Sequence, residues 1–479
     1  MSFRTLLSLA MTYSCVAITA ITFLLILYVA GYHVIYRKLL KGQKKFPYAK
    51  TCWWICFLFY AIVVAGATIL FRYPSAEPEP VYPLFFSYRD AWIAGSVISW
   101  RNIILNFCMF VPLGILLPIG VKNLRSFGKI LLAGFGFSLM IELVQLISKR
   151  GMFEPDDLLG NTTGALIGYG LFLLGDQVIL RIKKRPLHKK RTIFLAQLPL
   201  LLTILAFTVI LASYHFMKLG VHPDTPLNTP SKKNLTVSSS IDFSDENTKA
   251  MVYYQKPLTS KEAVVKGNEI LSRVGTSVSK DRSFLYENEA ILYSEDHDYS
   301  LMISYRTGTY RLTSFPLIHT EADSSLPSPD AVIGATEAET KSRLKDAGIP
   351  LEAKESSFEE KENGWYCFTY KMVPSDDSYL YGTVECQCKE KGVSTIVYHL
   401  ANCKVVKEYP ILSEKEAYEQ ITRGDFSYWG DAKNAKLDFQ VTGCELVYVN
   451  DSKGYYQPTY EFTGTINGES ERVRIPALK

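Results

Sequence analysis

Six long apolar runs fill the first 219 residues, and they restrict what this chain can fold into more than any other feature. They lie at 11–36, 51–71, 103–120, 130–148, 158–180 and 193–217. A bilayer core takes about 20 mainly apolar residues per helix, and short basic or polar segments separate the runs. The averages conceal this: 48% hydrophobic residues and a mean hydropathy of +0.06 (the latter over the whole chain) describe an ordinary globular protein. The balance arises because residues from Gly220 onward are charged, rich in Ser and Thr, and strand-like. Six such runs in succession do not fit buried helices of a soluble protein. The expected fold class is a mainly α-helical polytopic membrane domain (1–219, six transmembrane helices) followed by an extracytoplasmic α+β domain with antiparallel sheets.

Lys and Arg in short loops are retained in the cytoplasm, so their distribution sets orientation. Loops 37–50, 122–129 and 181–191 hold sixteen of them. The alternate loops, 72–101 and 149–157, hold five: Arg72, Arg89, Arg101, Lys149 and Arg150. The N-terminus and the C-terminal domain are therefore expected outside. A cleaved signal peptide competes for the first run, but the apolar stretch continues far past a signal core and the stronger basic cluster follows it. The cluster "KKRPLHKKR" is short and wedged between two spans, which suits anionic lipid and not nucleic acid.

Beyond the last run, "GVHPDTPLNTPSKKNL" (220–235) reads as a linker. Two subdomains are expected after it, 236–405 and 406–479. In the first, "TEAETKSRLKDAGIP" has the pattern of an amphipathic helix and is followed by alternating, strand-like segments. In the second, "LSEKEAYEQITRG" opens with Ser413 as a cap and Glu416 at the capping-box position, again with strands after it. A helix followed by a three-stranded meander, used twice, would bury each helix on one sheet face. The second unit, "PILSEKEAYEQITRG" with "LVYVNDSKGYYQPTYEFTG", resembles the PepSY-like modules of extracytoplasmic regulatory proteins in Gram-positive bacteria. That resemblance covers about 75 residues and implies a binding or regulatory role at the cell surface.

Five of the nine cysteines, Cys367, Cys386, Cys388, Cys403 and Cys444, fall in this outer part. Cys386 and Cys388 would share one strand face, from which either could meet Cys367 or Cys403 on a neighbour; the odd number leaves at least one thiol unpaired. Zinc is disfavoured because no histidine pattern accompanies them.

The polar residues inside the spans carry the functional signal. In "FEPDDLLGNTTGALIGYG", Asp156 and Asp157 follow Pro155 at the outer end of the fifth run, where carboxylates suit the free N–H groups of a helix start. Capping does not account for the rest. Asp157, Asn161, Gly164 and Gly168 fall three or four residues apart, with Gly160 beside them, so polar and small residues share one face, and small residues at this spacing let another helix approach. In the fourth run Ser138, Glu142 and Gln145 also share a face. In the third, Asn102 and Asn106 sit one turn apart near Arg101, and Pro112 frees a backbone carbonyl. An ionisable residue inside a span is costly and usually faces a partner or a wet cavity. At 1.5 Å per residue, Asn106, Glu142, Gln145 and Asn161 all lie within about 10 Å of the outer surface. Asn106, Glu142, Gln145, Asp156, Asp157 and Asn161 are thus the candidate binding residues.

The ordered blocks "NFCMFVPLGILLP", "GFSLMIELVQL" and "FEPDDLLGNTTGALIGYG" resemble the VanZ-like family of bacterial membrane proteins over about residues 101–170. The family's motif positions correspond to Asn106, Pro112, Gly114, Glu142, Gln145, Asp156, Asp157, Asn161 and Gly164. Glu154 departs from the aspartate common there, and it is given no metal or catalytic role. The resemblance implies a cell-envelope protein associated with low-level resistance to the glycopeptide teicoplanin; the long outer domain is not part of the family pattern.

Three functional readings follow. The first is a non-enzymatic membrane protein whose outer-leaflet polar site takes a membrane lipid, a lipid-linked cell-wall precursor or the glycopeptide antibiotic itself, with no cofactor and no metal. The second is a membrane-embedded enzyme acting on a lipid-linked head group, with Glu142 as base and Asp156 or Asp157 as acid or metal ligand. It is disfavoured because the spans hold only His33 and His215, no serine elbow and no arginine set for phosphate. The third is a surface sensor or regulator that binds an envelope protein through residues 220–479; no nucleotide-binding loop or sizeable cytoplasmic domain is present to pass on a signal.

Overall fold

Each apolar run folds as a helix in the computed structural model, which describes residues 3–70, 82–151, 153–246, 248–317, 330–351, 356–428 and 435–479. Phe71 at the end of the second run and Arg72 of the next loop lie outside the described residues. The first two helices, α1 (Phe3–Ala30) and α2 (Tyr48–Ala65), continue as π-helical turns at Gly31–Leu39 and Gly66–Leu70. A short helix absent from the sequence reading, α3 (Phe86–Ala94), lies in the loop before α4 (Val97–Gly120). Then come α5 (Phe127–Ser148), α6 (Pro155–Ile182) and α7 (Lys190–Phe216). Six of these are long and apolar enough to cross a membrane. They outrun the apolar stretches because polar terminal turns still make helical hydrogen bonds: Ser96 caps α4 through its hydroxyl, Pro155 occupies the first turn of α6, and Lys149 ends α5 at φ 55°.

Glycines decide how α4 and α6 meet. A Cβ on Gly164 would overlap the carbonyl oxygen of Phe107, one on Gly168 that of Val111, and one on Gly114 that of Ala165. The two backbones therefore touch directly, as the ladder of small residues on α6 requires. At Gly160 the same Cβ would stand 3.5 Å from Cβ of Asn106, so this approach also sets where the α4 amide meets α6.

The chain divides into two compact units, 1–92 with 96–217, and 93–95 with 218–479. The second unit is built on a largely antiparallel sheet of 14 strands. Its strands are β1 (Leu235–Ser239), β2 (Lys249–Tyr254), β3 (Phe284–Leu285), β4 (Glu289–Tyr293), β5 (Tyr299–Ser304), β6 (Tyr310–Ser314), β7 (Ser357–Lys361), β8 (Trp365–Ser375), β9 (Ser378–Lys389), β10 (Gly392–Tyr398), β11 (Ala401–Pro410), β12 (Leu437–Asn450), β13 (Tyr455–Ile466) and β14 (Glu469–Pro476). The main path runs β1-β12-β13-β2-β11-β9-β10-β6-β5-β4-β3.

Three helices, each opened by a complete capping box, pack on it. They are α8 (Ser260–Arg273; Thr259 with Glu262), α9 (Glu337–Asp346; Thr336 with Glu339) and α10 (Glu414–Arg423; Ser413 with Glu416). Ala263, Ile270, Leu271 and Leu344 of α8 and α9 share one core with β4–β6 and β8–β10. Ala417 and Ile421 of α10 share a second with β12–β14. The helix-and-meander unit is used three times, since α8 with β3–β6 joins the two expected from the sequence.

Strand pairing crosses the expected division at 405/406. Strand β1 runs parallel to β12, and β2 is inserted between β13 and β11, so residues 235–254 belong to the C-terminal sheet. The expected linker 220–235 is likewise packed: the Gly220 N–H donates to Asp451 Oδ2 (2.5 Å), the Val221 N–H to Ser452 Oγ (2.8 Å) and the Leu227 N–H to Ser427 Oγ (3.0 Å). Its polar, Pro-rich composition reflects irregular backbone bonded to side chains and not freedom.

All nine cysteines are free thiols. Cys386 and Cys388 do share a buried face, but register sets Cys367 opposite Glu385 and Cys403 opposite Tyr379, which removes the expected cross-strand meetings. Among the described residues no cluster of His, Cys, Asp or Glu could hold a metal ion.

Candidate functional site

Of the six candidate residues, Glu142, Gln145, Asp156 and Asn161 are buried, and Asn106 and Asp157 are half-buried. Burying so many polar groups among helices is tolerable only where hydrogen bonds satisfy them. The structure supplies a separate partner for each. Asn106 on α4 donates through Nδ2 to Asp157 Oδ1 on α6. Asn161, one turn further along α6, donates through Nδ2 to Ser138 Oγ on α5 at 3.0 Å. Glu142 accepts the backbone N–H of Glu154 at 2.9 Å, which fastens the chain entering α6 to α5. The three helices are therefore joined at one level by side chains that the sequence spacing had placed on facing surfaces.

Two residues point elsewhere. Gln145 donates to the carbonyl of Thr68 at 3.0 Å, in the π-helical end of the second span. Arg150, just after α5, adds bonds to the carbonyls of Ile69 (3.3 Å) and Leu70 (3.4 Å), so this end of α5 is tied to the second span. Asp156, one of two aspartates expected to suit the start of their own helix and a candidate binding residue, instead serves α3. Its carboxylate accepts the N–H of Phe85 at 2.5 Å and of Ser87 at 2.8 Å, while the Ser87 hydroxyl donates to Glu154 Oε2 at 3.0 Å. Phe85 sits at φ +68°, in the left-handed region, where this bond orients its N–H. Asn102, one turn before Asn106, is exposed.

Helix α3 adds a residue that sequence reasoning missed. Tyr88 is half-buried, and burial together with the nearby charges of Asp156 and Asp157 pushes its phenol up to about 12. At neutral pH it is a protonated donor beside two carboxylates. Its only sequence signal was an aromatic-rich "FFSYRD" within an outer loop, which gave no reason to expect a helix there. Thr68 was missed for another reason: it contributes a backbone carbonyl, which no residue pattern announces.

Among the six candidate residues one buried atom is left over, and Oγ1 of the neighbouring Thr162 is also buried without a partner. Asn161 is 2% exposed, and its Oδ1 has no hydrogen-bond partner. The arrangement is thus a nearly satisfied polar layer with a short list of open valences, and the chemistry it presents is hydrogen bonding.

Six membrane-length helices carrying a buried polar layer, followed by a helix-on-sheet domain, define a polytopic membrane protein with a large non-membrane part. Residues 55–179 match the family model described as VanZ/LLP1, and over that stretch the chain is VanZ-like. The match runs from within α2 to the last turn of α6 and contains every residue of the layer. No match was found among curated proteins. Two solved structures are similar in part. An uncharacterized protein from Eubacterium rectale ATCC 33656 is 11% identical, with 50% of this chain and 87% of that chain covered and a TM-score of 0.23. The C-terminal domain of YpeB from Bacillus megaterium is 12% identical, with 47% and 95% covered and a TM-score of 0.21. Both TM-scores are too low to assign a fold.

Proposed function

We propose that this is a non-enzymatic protein of the bacterial cell envelope, with its N-terminus and C-terminal domain outside, whose outer-leaflet polar layer takes the head group of a lipid-linked or lipidated molecule. The observation that carries the reading is the convergence of Asn106, Ser138, Glu142, Asp157 and Asn161 from α4, α5 and α6 at one level, near the end of the bundle where the few loop cations lie. A membrane protein that needed only helix packing has the glycine ladder for that purpose, and buried carboxylates and amides cost more to insert than apolar residues of the same size. The polar layer is therefore retained for something besides packing. A protein that sequesters or screens such amphiphiles would alter access of a glycopeptide such as teicoplanin to cell-wall precursors, and a change in susceptibility would follow from that chemistry.

The test compares teicoplanin susceptibility of wild-type, deletion, Glu142→Gln and Asp157→Asn strains, with membrane insertion of each variant checked by fractionation. Both variants are expected to behave as the deletion. Wild-type susceptibility in correctly inserted variants would remove the layer from the function.

A further inference from the structure

We propose that the head group taken by this layer is a neutral polyol, a sugar bearing vicinal hydroxyls, and that Tyr88 is a further residue that binds it. The inference rests on the reading of the layer given above and specifies its ligand class.

A group able to hydrogen-bond a ligand stands on either side of the Asn106–Asp157 pair. On the α3 side stands Tyr88, next in sequence to Ser87, whose backbone and hydroxyl are held by Asp156 and Glu154. Among the described residues no group hydrogen-bonds the Tyr88 hydroxyl, and burial with the two aspartates nearby keeps that phenol protonated. One turn along α6 from Asp157 stands Asn161, buried, with one amide atom bonded to Ser138 and Oδ1 without a partner. Turning the amide over would leave a donor open in place of the acceptor, so one polar atom stays unmatched in either orientation.

A ligand that completes this column must accept a hydrogen bond from a phenol and donate one beside carboxylates. A hydroxyl does both, and it satisfies the Asn161 amide in either orientation. A phosphate offers acceptors only and would be brought against the negative charges of Asp156 and Asp157. An ammonium group offers donors only and leaves the phenol without an acceptor. Adjacent hydroxyls on a sugar ring present donor and acceptor together, which matches a column whose open atoms flank an amide–carboxylate pair.

The experiment uses the full chain in phosphatidylcholine nanodiscs doped with equal amounts of monoglucosyl-diacylglycerol, phosphatidic acid and phosphatidylethanolamine, with retained lipid read by native mass spectrometry. The glucosyl lipid is expected to be enriched over the other two. Tyr88→Phe, which removes one hydroxyl and leaves the Asp156 bonds to α3 in place, is expected to lower that enrichment about tenfold, the effect of one hydrogen bond. Its melting temperature, measured alongside, is expected to match wild type. Equal or greater retention of phosphatidic acid or phosphatidylethanolamine overturns the sugar assignment and leaves the layer reading standing. Unchanged enrichment in Tyr88→Phe overturns the role of that residue. A wild-type chain that retains none of the three lipids overturns both the ligand class and the head-group reading beneath it.

Discussion

Asp156 is the residue at which local rules and tertiary structure part. A carboxylate just after a proline at a helix start suits the free N–H groups of that helix, and its place among the candidate binding residues gave it no structural partner in another element. In the fold it accepts two N–H groups from the start of α3, about 70 positions earlier, and so holds the element that carries Tyr88. Substitution by Ala leaves those two donors without their partner. The expected result for Asp156→Ala is a loss of about 2–4 kcal/mol in the local stability of α3, as for two charge-assisted bonds of this kind. Hydrogen exchange across residues 85–94 measures it, and protection equal to wild type would show that other contacts hold α3. Residue faces were readable in advance: Asp157 with Asn161, and Ser138 with Glu142, lie where helical spacing puts them. Partners were not, because four of them (the N–H groups of Phe85, Ser87 and Glu154 and the carbonyl of Thr68) are backbone atoms of segments whose positions only the assembled fold defines.

Among the elements, α6 shows sequence and packing in agreement. The ladder Gly160, Gly164, Gly168 implied a close helix neighbour, and α4 is that neighbour. The closeness differs from one glycine to another, which makes it testable. A methyl group on Gly164 meets the rigid carbonyl of Phe107, whereas one on Gly136 of α5 meets nothing within 4 Å. Gly164→Ala is therefore expected to cost about 1–3 kcal/mol through overpacking, while Gly136→Ala gains a few tenths from helix propensity. Thermal melting of the two purified variants in one detergent checks the contrast, and equal melting temperatures would contradict the backbone contact. The helix α8 illustrates a different limit. Its capping box, Thr259 with Glu262, was as visible as that of α10, yet the repeat was read as twofold because the strands after α8 are short and their turn-rich sequence masks the meander.

For the whole molecule, the six spans follow from local composition, but the 14-stranded sheet does not. Strand β2 reaches its place between β13 and β11 across roughly 150 to 200 residues of sequence, and no local pattern encodes such pairing. The segment leaving α7 is built into that sheet as well, which gives the assembly a pH dependence centred on His222. This buried imidazole takes the Asp224 N–H on Nδ1 at 3.1 Å, so Nε2 carries the proton and donates to Thr459 Oγ1 at 2.8 Å. Burial first, then the charges of Arg474 and Arg306, lower its pKa from 6.5 to about 4. The unfolded chain therefore binds a proton at a higher pH than the folded one, so stability falls as pH drops through 6.5 and levels off below about 4. Such a shift corresponds to about 3 kcal/mol. Asp224, 3.8 Å from the ring, and Glu461, bonded to Arg474, also face this region. His222→Gln keeps a polar group but cannot be protonated, so between pH 7 and pH 4 the variant is expected to lose about 3 kcal/mol less than wild type. Denaturant unfolding of the full chain at the two pH values, followed by hydrogen exchange of Tyr455–Ile466, measures the difference; equal losses would mean that the imidazole takes up its proton without disturbing the attachment of residues 218–222 to the sheet.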